Sequence, residues 1–342
     1  MIIKEEKIKS IKNIDEINRK VICGETLSLL KKIPDKSIPL IITSPSYFLG
    51  KSYEKNHEFA EYLDEHTEII KECKRVLKDN GAVFWNVAQT VINKEILPLG
   101  AMFYEIFKKE KFFMKNWIIW KFEGGESPRT RLFGRYENIL WFVKNNDDYI
   151  FNVDDVRIPA KWIRDKRVNP NGKNPEDYWV FDERSNEEKL NNIKEKIEKY
   201  KKLISEEAPD YVNQILMDEL SRDIEFNLDE MIESKNNIVN KNLSDNIWHL
   251  NRVVNVSKAE KIKHPKTGEP HPCPFPESLI NRLIKMGSNE GDIVLDIFNG
   301  SGTVPKVAEE LNRGWIGIDK ELEYCEISEY RIKNINKQES LL

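Results

Sequence analysis

Only four cysteines occur in 342 residues, Cys23, Cys73, Cys273 and Cys325, and no two form a CxxC pair, so neither a disulfide framework nor a zinc knuckle is suggested. Reduced thiols in a cytosol fit this. Long apolar runs are also lacking: the longest strand-like stretch is Ile38-Pro39-Leu40-Ile41-Ile42, well short of the roughly 18 residues a membrane helix needs. The opening Met1-Ile2-Ile3-Lys4-Glu5-Glu6-Lys7 has no signal-peptide apolar region, and the expectation is a soluble cytoplasmic protein. Charge of one sign is missing too. With 54 Lys+Arg against 58 Asp+Glu the formal net charge is −4, which argues against a protein that coats nucleic acid without regard to sequence, because the phosphate backbone rewards a global basic excess. A local basic face is still allowed. The chain does have 39% hydrophobic residues and 10% aromatics, enough for a real core, and its length favours one large domain with an insertion, or two domains.

Along the chain, short apolar runs alternate with amphipathic ones. Val21-Ile22-Cys23 and Ile38 to Ile42 read as strands around a short helix that starts at Leu27. Phe59 to Leu77 is periodic as a helix, with Asn80-Gly81 as its stop, and Ala82 to Val87 reads as a buried strand. A helix over 96–109 and strands over 117–122 and 139–143 follow. Near the C-terminus the pattern returns as helix 276–286, strand 293–296, helix 303–311, strand 315–319 and helix 321–335. This alternation predicts an α/β fold, a mostly parallel sheet with helices on both faces. Between the two α/β stretches the character changes. Residues 157–173 carry Arg157, Lys161, Arg164, Lys166, Arg167 and Lys173 against Asp165 alone, and 183–235 is charge-rich and helical, so the middle reads as an insertion.

The strongest ligand signal is Asp296-Ile297-Phe298-Asn299-Gly300-Ser301-Gly302-Thr303, between a predicted strand and helix. Glycines there let the backbone pass close to a ligand at the carboxyl edge of the sheet. Pro305 stands where a GxGxxG fingerprint has its third glycine, which disfavours a pyrophosphate cradle. Asp319 ends the next strand 23 residues after Asp296, where a carboxylate can accept from both ribose hydroxyls of a nucleoside. A GxG turn alone is as readily structural; the acid at that spacing favours nucleoside binding. The second signal is Thr43-Ser44-Pro45-Ser46-Tyr47, at the end of another buried strand. The Ser44 hydroxyl and Pro45 carbonyl could accept from an amino group while Tyr47 stacks on its ring. By itself this could equally be a strand-terminating turn with a buried tyrosine.

Together with His271-Pro272-Cys273-Pro274-Phe275-Pro276-Glu277, these two motifs resemble the S-adenosylmethionine-dependent DNA methyltransferases that modify exocyclic amines. The TSPSY form resembles the TSPPY motif of the N4-cytosine enzymes more than the DPPY motif usual in N6-adenine enzymes. The catalytic motif precedes the cofactor loop, the permuted order of the β group, and the resemblance covers about 21–145 and 265–335. It implies a circularly permuted Rossmann-like methyltransferase sheet, with a catalytic half over 1–150, a target-recognition insertion over 151–260 and a cofactor-binding half over 261–342. It further implies that Asp296, Phe298, Asn299, Gly300, Gly302 and Thr303 surround the methionine and ribose of the cofactor, with Asp319 on the ribose hydroxyls. Thr43 joins them, Glu25 stands where the family commonly has Asp facing the adenine amino group, and His271, Pro274, Phe275 and Pro276 close over the methionine end. Arg135-Tyr136-Glu137-Asn138-Ile139-Leu140-Trp141-Phe142 resembles the segment lining the flipped base. Ser46 departs from the family's second proline.

The implied reaction is methyl transfer to N4 of a flipped cytosine in duplex DNA, with Ser44, Pro45, Ser46 and Tyr47 as the catalytic segment. No Pro-Cys-Gln of the cytosine-C5 enzymes is present, since Pro272-Cys273 is followed by Pro274, and no covalent intermediate is needed. Arg129, Arg131, Arg135, Lys161, Arg164, Lys166 and Arg167 could track phosphates. A metal is not expected, because His264, His271 and Cys273 lack a fourth ligand at a usual spacing. The expected partner is double-stranded DNA, with a cognate restriction endonuclease acting on the same site left open, and no membrane. N6 of adenine, a catalytically silent DNA-binding relative, and an RNA or small-molecule methyltransferase remain the alternatives.

Overall fold

Runs such as Ile293-Val294-Leu295-Asp296 are apolar without a break because both faces of their sheet are covered. In the computed structural model, which describes residues 2–48, 58–121, 129–132, 134–157, 174–180, 262, 264–267 and 275–335, they form the centre of a nine-stranded sheet. The chain divides into two units, Met1–Asp155 with Glu176–Phe181 and Asn251–Leu342, and Val156–Pro175 with Asp182–Leu250. The helical character expected over 183–235, and the basic run beyond Arg157, lie outside the described residues.

The strands are β1 (Ile2–Lys4), β2 (Lys20–Cys23), β3 (Ile38–Thr43), β4 (Leu77–Val87), β5 (Thr90–Ile92), β6 (Glu95–Leu97), β7 (Phe113–Lys121), β8 (Tyr136–Val143), β9 (Tyr178–Val180), β10 (Ile293–Asp296) and β11 (Gly314–Asp319). The helices are α1 (Thr26–Leu30), α2 (Phe59–Val76), α3 (Leu99–Lys109), α4 (Glu277–Gly287), α5 (Thr303–Glu310) and α6 (Leu322–Lys333). The sheet runs β1-β2-β11-β10-β3-β4-β8-β7-β9, and β1 through β4 in that order pair in parallel. β8 lies antiparallel between β4 and β7, and β9 adds in parallel to β7. The mostly parallel α/β sheet expected from the alternation is therefore present. β9 lies within the 151–260 stretch assigned to the insertion, yet it pairs with this sheet.

Two local expectations shift. α2 ends at Val76 and the chain enters β4 directly, so Asn80-Gly81 lies inside a strand rather than at the helix stop. The reason is the pairing of Leu77 with Ile38, followed by a register shift that absorbs the irregular residues before Leu40 meets Ala82. The helix expected from Ile96 begins at Leu99, because Glu95–Leu97 pairs with Thr90–Ile92 across Asn93-Lys94. Both turn residues have positive φ, 51° and 68°, as a type I′ hairpin turn demands. The edge strand β1, too short to show a period, pairs Ile2–Lys4 with Val21–Cys23.

Chain order places the ligand crevice. From β10 the next strand, β11, lies on one side; from β3 the next, β4, lies on the other. The loops leaving the adjacent carboxyl ends of β3 and β10 therefore diverge, and the gap between them is the topological switch point where open α/β sheets bind ligands. Beneath it the core is filled by Ile41, Val83, Trp85, Phe103, Phe107, Phe142, Leu295 and Ile316, all fully buried. No helix among the described residues is long and apolar enough to cross a membrane.

Candidate active site

At the switch point the two sequence motifs meet. Thr43, the last residue of β3, donates its hydroxyl to Asp296 Oδ1 at 2.8 Å, and the Phe298 N–H donates to the same oxygen at 3.1 Å. Thr43, expected among the cofactor contacts, is fully buried, with its hydroxyl on Asp296. Burial pushes the Asp296 carboxyl up to about 7, against those two hydrogen bonds, which favour its charged form. Asp319 ends β11 and is nine-tenths buried; burial raises it to about 6, opposed by the N–H groups of Glu321 at 2.9 Å and Gly300 at 2.7 Å. Each of its oxygens accepts one backbone donor, which fixes the carboxylate plane and leaves further acceptor capacity.

The loop from Asp296 to α5 is shaped by two glycines. Gly300 and Gly302 adopt φ of 48° and 75°, and a Cβ on Gly302 would lie 2.1 Å from Ser328 Oγ and 2.6 Å from Ser328 Cβ. Asn299 is buried between them. It fits because Gly317 lacks a side chain: a Cβ there would be 2.4 Å from Asn299 Oδ1. Neither Asn299 Oδ1 nor Nδ2 has a hydrogen-bond partner among the described residues. A buried amide left in that state costs about 1–3 kcal/mol, which a polar ligand would relieve. Thr303 opens α5 and accepts from Arg331 at 3.0 Å; Arg331 also reaches Ser301 and Glu277.

On the other side of the crevice, Ser44 and Tyr47 share a hydrogen bond of 2.9 Å. Tyr47 OH donates to Glu137 Oε2 at 2.7 Å, and Asn86 Nδ2 lies 2.7 Å from both that oxygen and the Tyr47 hydroxyl. Asn86 comes from the end of β4 and Glu137 from the start of β8; the antiparallel pairing brings them to one edge. The turn itself is held from below, as Tyr62 of α2 donates to the Ser46 carbonyl at 2.6 Å. His66, one turn on, is stacked on Phe298 with ring centroids 5.7 Å apart, and burial pushes it down to about 4, so the ring is neutral. Its Nδ1 faces the Tyr62 carbonyl at 2.7 Å and must carry the proton.

Glu25 is exposed at the N-cap of α1, beyond β2, and its N–H donates to Glu5. Pro276 is the buried N-cap of α4, with Phe275 half-buried before it. Arg129 and Arg131 are exposed ahead of β8, and Arg135 is half-buried. His271, Pro274, Lys161, Arg164, Lys166 and Arg167 lie outside the described residues. Sequence reasoning passed over Asn86, Tyr62 and His66, and it quoted Glu137 only as part of a segment. The available signal was polarity out of place: an Asn closing the apolar run Ala82–Val87, and a Glu opening the run before Val143.

Most of the chain that carries this arrangement, a carboxylate-and-glycine loop joined by one hydrogen bond to a hydroxyl-bearing strand end, is matched by a known family. The profile of the DNA methylase family, which unites N6 and N4 methyltransferases, covers residues 38–330. The chain belongs to that DNA methylase family. Among curated members, the Type II methyltransferase M.BglII of Bacillus subtilis is 29% identical over 320 residues, spanning 90% of this chain and 67% of that protein. The DNA adenine methyltransferase YhdJ of Escherichia coli strain K12 is 27% identical over 317 residues, spanning 91% of this chain and 82% of the other. Among solved structures, the cytosine-N4-specific PvuII DNA methyltransferase matches with a TM-score of 0.54 at 19% identity, over 93% of this chain and 89% of that one, a likeness of fold. As a DNA methylase, the chain transfers methyl groups to DNA.

Proposed function

We propose that the protein moves a methyl group from S-adenosylmethionine to the exocyclic N4 amine of a cytosine flipped out of a short duplex sequence. The observation that carries this is the 2.8 Å hydrogen bond from Thr43 to Asp296, which sets Ser44, one residue on, beside the cofactor loop. A hydroxyl at position 44, rather than a carboxylate, favours cytosine N4. Digesting DNA methylated by the protein to nucleosides and weighing the products tests it: N4-methylcytosine is expected, and N6-methyladenine alone overturns it. N6 of adenine is the second reading, favoured by the adenine methyltransferase YhdJ among the relatives. The Type II name of M.BglII supports a restriction endonuclease acting on the same site as a companion.

The residues suit the cofactor. Unsatisfied Asn299, the Asp319 carboxylate held in plane, and a loop with no room for a Cβ at Gly302 make a polar cradle for a nucleoside. Asp319 takes the ribose hydroxyls, and Asp296, Phe298, Asn299, Gly300, Gly302 and Thr303 enclose the rest. When bound, the sulfonium supplies an electrophilic methyl. Ser44 and the Pro45 carbonyl accept hydrogen bonds from the two amine N–H groups, which draws the nitrogen lone pair out of conjugation with the ring and aims it along the line of transfer; one of those protons leaves to solvent once the methyl has moved. Tyr47 replaces part of the stacking the base loses on flipping.

A pH effect follows from Asp319. The ribose hydroxyls donate to the ionised carboxylate, and in the free protein that carboxyl titrates near 6, raised by burial. Below about pH 6 the contribution of Asp319 to cofactor affinity should fall by about tenfold per unit, because the proton must leave first. Titration calorimetry across this range, repeated on Asp319→Asn, checks it; the variant should bind more weakly and lose the acid limb. Arg129 and Arg131 give a second expectation. If each contacts a phosphate, the double change to Ala should lower the slope of log affinity against log salt by about 2, equally for cognate and random duplexes. An unchanged slope would remove both from the DNA interface.

A further inference from the structure

Glu137 is buried, and its Oε2 accepts two hydrogen bonds from donors in the site, Tyr47 OH at 2.7 Å and Asn86 Nδ2 at 2.7 Å. A carboxylate only accepts, so the single phenolic proton of Tyr47 points at Glu137. The Ser44–Tyr47 hydrogen bond of 2.9 Å can then run only one way, with Ser44 donating. Asn86 enforces the same sense. Its two Nδ2 protons go to the nearer acceptors, Glu137 Oε2 and Tyr47 OH at 2.7 Å each, while Ser44 Oγ lies 3.4 Å away. Turning that amide over would set its oxygen against the Glu137 carboxylate at 2.7 Å, oxygen facing oxygen. The polarity of the chain is thus set at Glu137 and ends at Ser44, whose lone pairs are left to face an incoming group.

On the reading that Ser44 receives the target amine, we propose that Glu137 is a positioning residue that makes the Ser44 hydroxyl an obligate acceptor, and so selects an amino group over a carbonyl at the reacting position of the flipped base. The base never touches Glu137. A base with a carbonyl there meets lone pairs with lone pairs and is rejected, while an amine finds its acceptor already turned. Glu137→Gln keeps the shape but gives the side chain an amide that can donate to Tyr47, which frees the chain to reverse. Sites built to hydrogen-bond one group discriminate strongly against its absence, so reversal should be felt first in selectivity.

The test uses the full-length protein and a duplex carrying the sequence found methylated in DNA from expressing cells. Affinity is measured for that duplex and for the same duplex with uracil in place of the target cytosine, and the ratio is compared between proteins, so that the easier opening of the mispaired base cancels. In Glu137→Gln the preference for cytosine should fall at least about tenfold and the single-turnover rate about 100-fold, with KM for S-adenosylmethionine unchanged within about twofold. Tyr47→Phe removes the middle link and should lower the same ratio, which keeps the test open if Glu137→Gln does not fold. An unchanged ratio in both variants, or a rate loss that appears only alongside a rise in cofactor KM, overturns the proposal. If the wild-type protein forms only N6-methyladenine, the cytosine reading fails by itself, and the comparison is made with hypoxanthine in place of the target adenine.

Discussion

Replacing Ser44 by Ala should lower the methyl-transfer rate by about 10²–10³, the loss typical of removing one preorganised hydrogen-bonding group from a reacting centre. Cofactor affinity should stay within about twofold, because the groups expected to hold the nucleoside, Asp319, Asn299 and Gly300, are attached to β10, β11 and their loop and not to Ser44. Stability should change little as well. Truncation orphans no buried partner: Tyr47 still donates to Glu137, and Asn86 still donates to both. Single-turnover methylation, with the cofactor dissociation constant measured on the same preparation, separates these effects. A variant that transfers methyl groups at the wild-type rate removes Ser44 from its assigned role. One that loses rate and cofactor binding together shows that the Thr43–Asp296 link, and not the amine acceptor, was disturbed.

The contrast between Ser44 and Glu137 shows what a sequence can and cannot reveal here. Ser44 belongs to five consecutive residues at the end of a buried strand, and the cofactor loop likewise follows a strand whose predicted bounds, Ile293 to Asp296, are those observed. Local order suffices for both, since glycine φ, apolar runs and strand-end polarity are properties of neighbours in the chain. Glu137 and Asn86 are 51 residues apart and meet only because β8 enters antiparallel beside β4, with Asn86 opposite Ile139. Nothing within either segment specifies that register. The same holds for Tyr62 and His66, which read as part of an amphipathic helix until Ser46 and Phe298 are placed against them. Where a local signal was read too strictly, as at Asn80-Gly81, pairing with a neighbouring strand overrode the turn propensity.

Gly302→Ala should destabilise the protein by about 2–5 kcal/mol and weaken cofactor binding. Two costs combine. An L-residue at φ of 75° carries about 1–2 kcal/mol, and overpacking a filled site adds about 1–3 kcal/mol. The second arises at α6, where the new Cβ would meet Ser328 Oγ at 2.1 Å, its Cβ at 2.6 Å and its Cα at 2.9 Å. A rotamer change can move the oxygen only; relieving the carbon contacts requires α6 or the loop to shift, and the loop carries Asn299 and Gly300 with it. The two costs can be told apart by adding Ser328→Gly, which removes the Oγ and Cβ at the expense of about 1 kcal/mol for a glycine inside a helix. If the steric assignment is right, the double variant is more stable than the two single losses summed, with a coupling of about 1–3 kcal/mol in denaturant titrations. Additive losses would instead assign the whole cost to the left-handed backbone, and the tight fit of loop against helix would have no part in shaping the cofactor cradle.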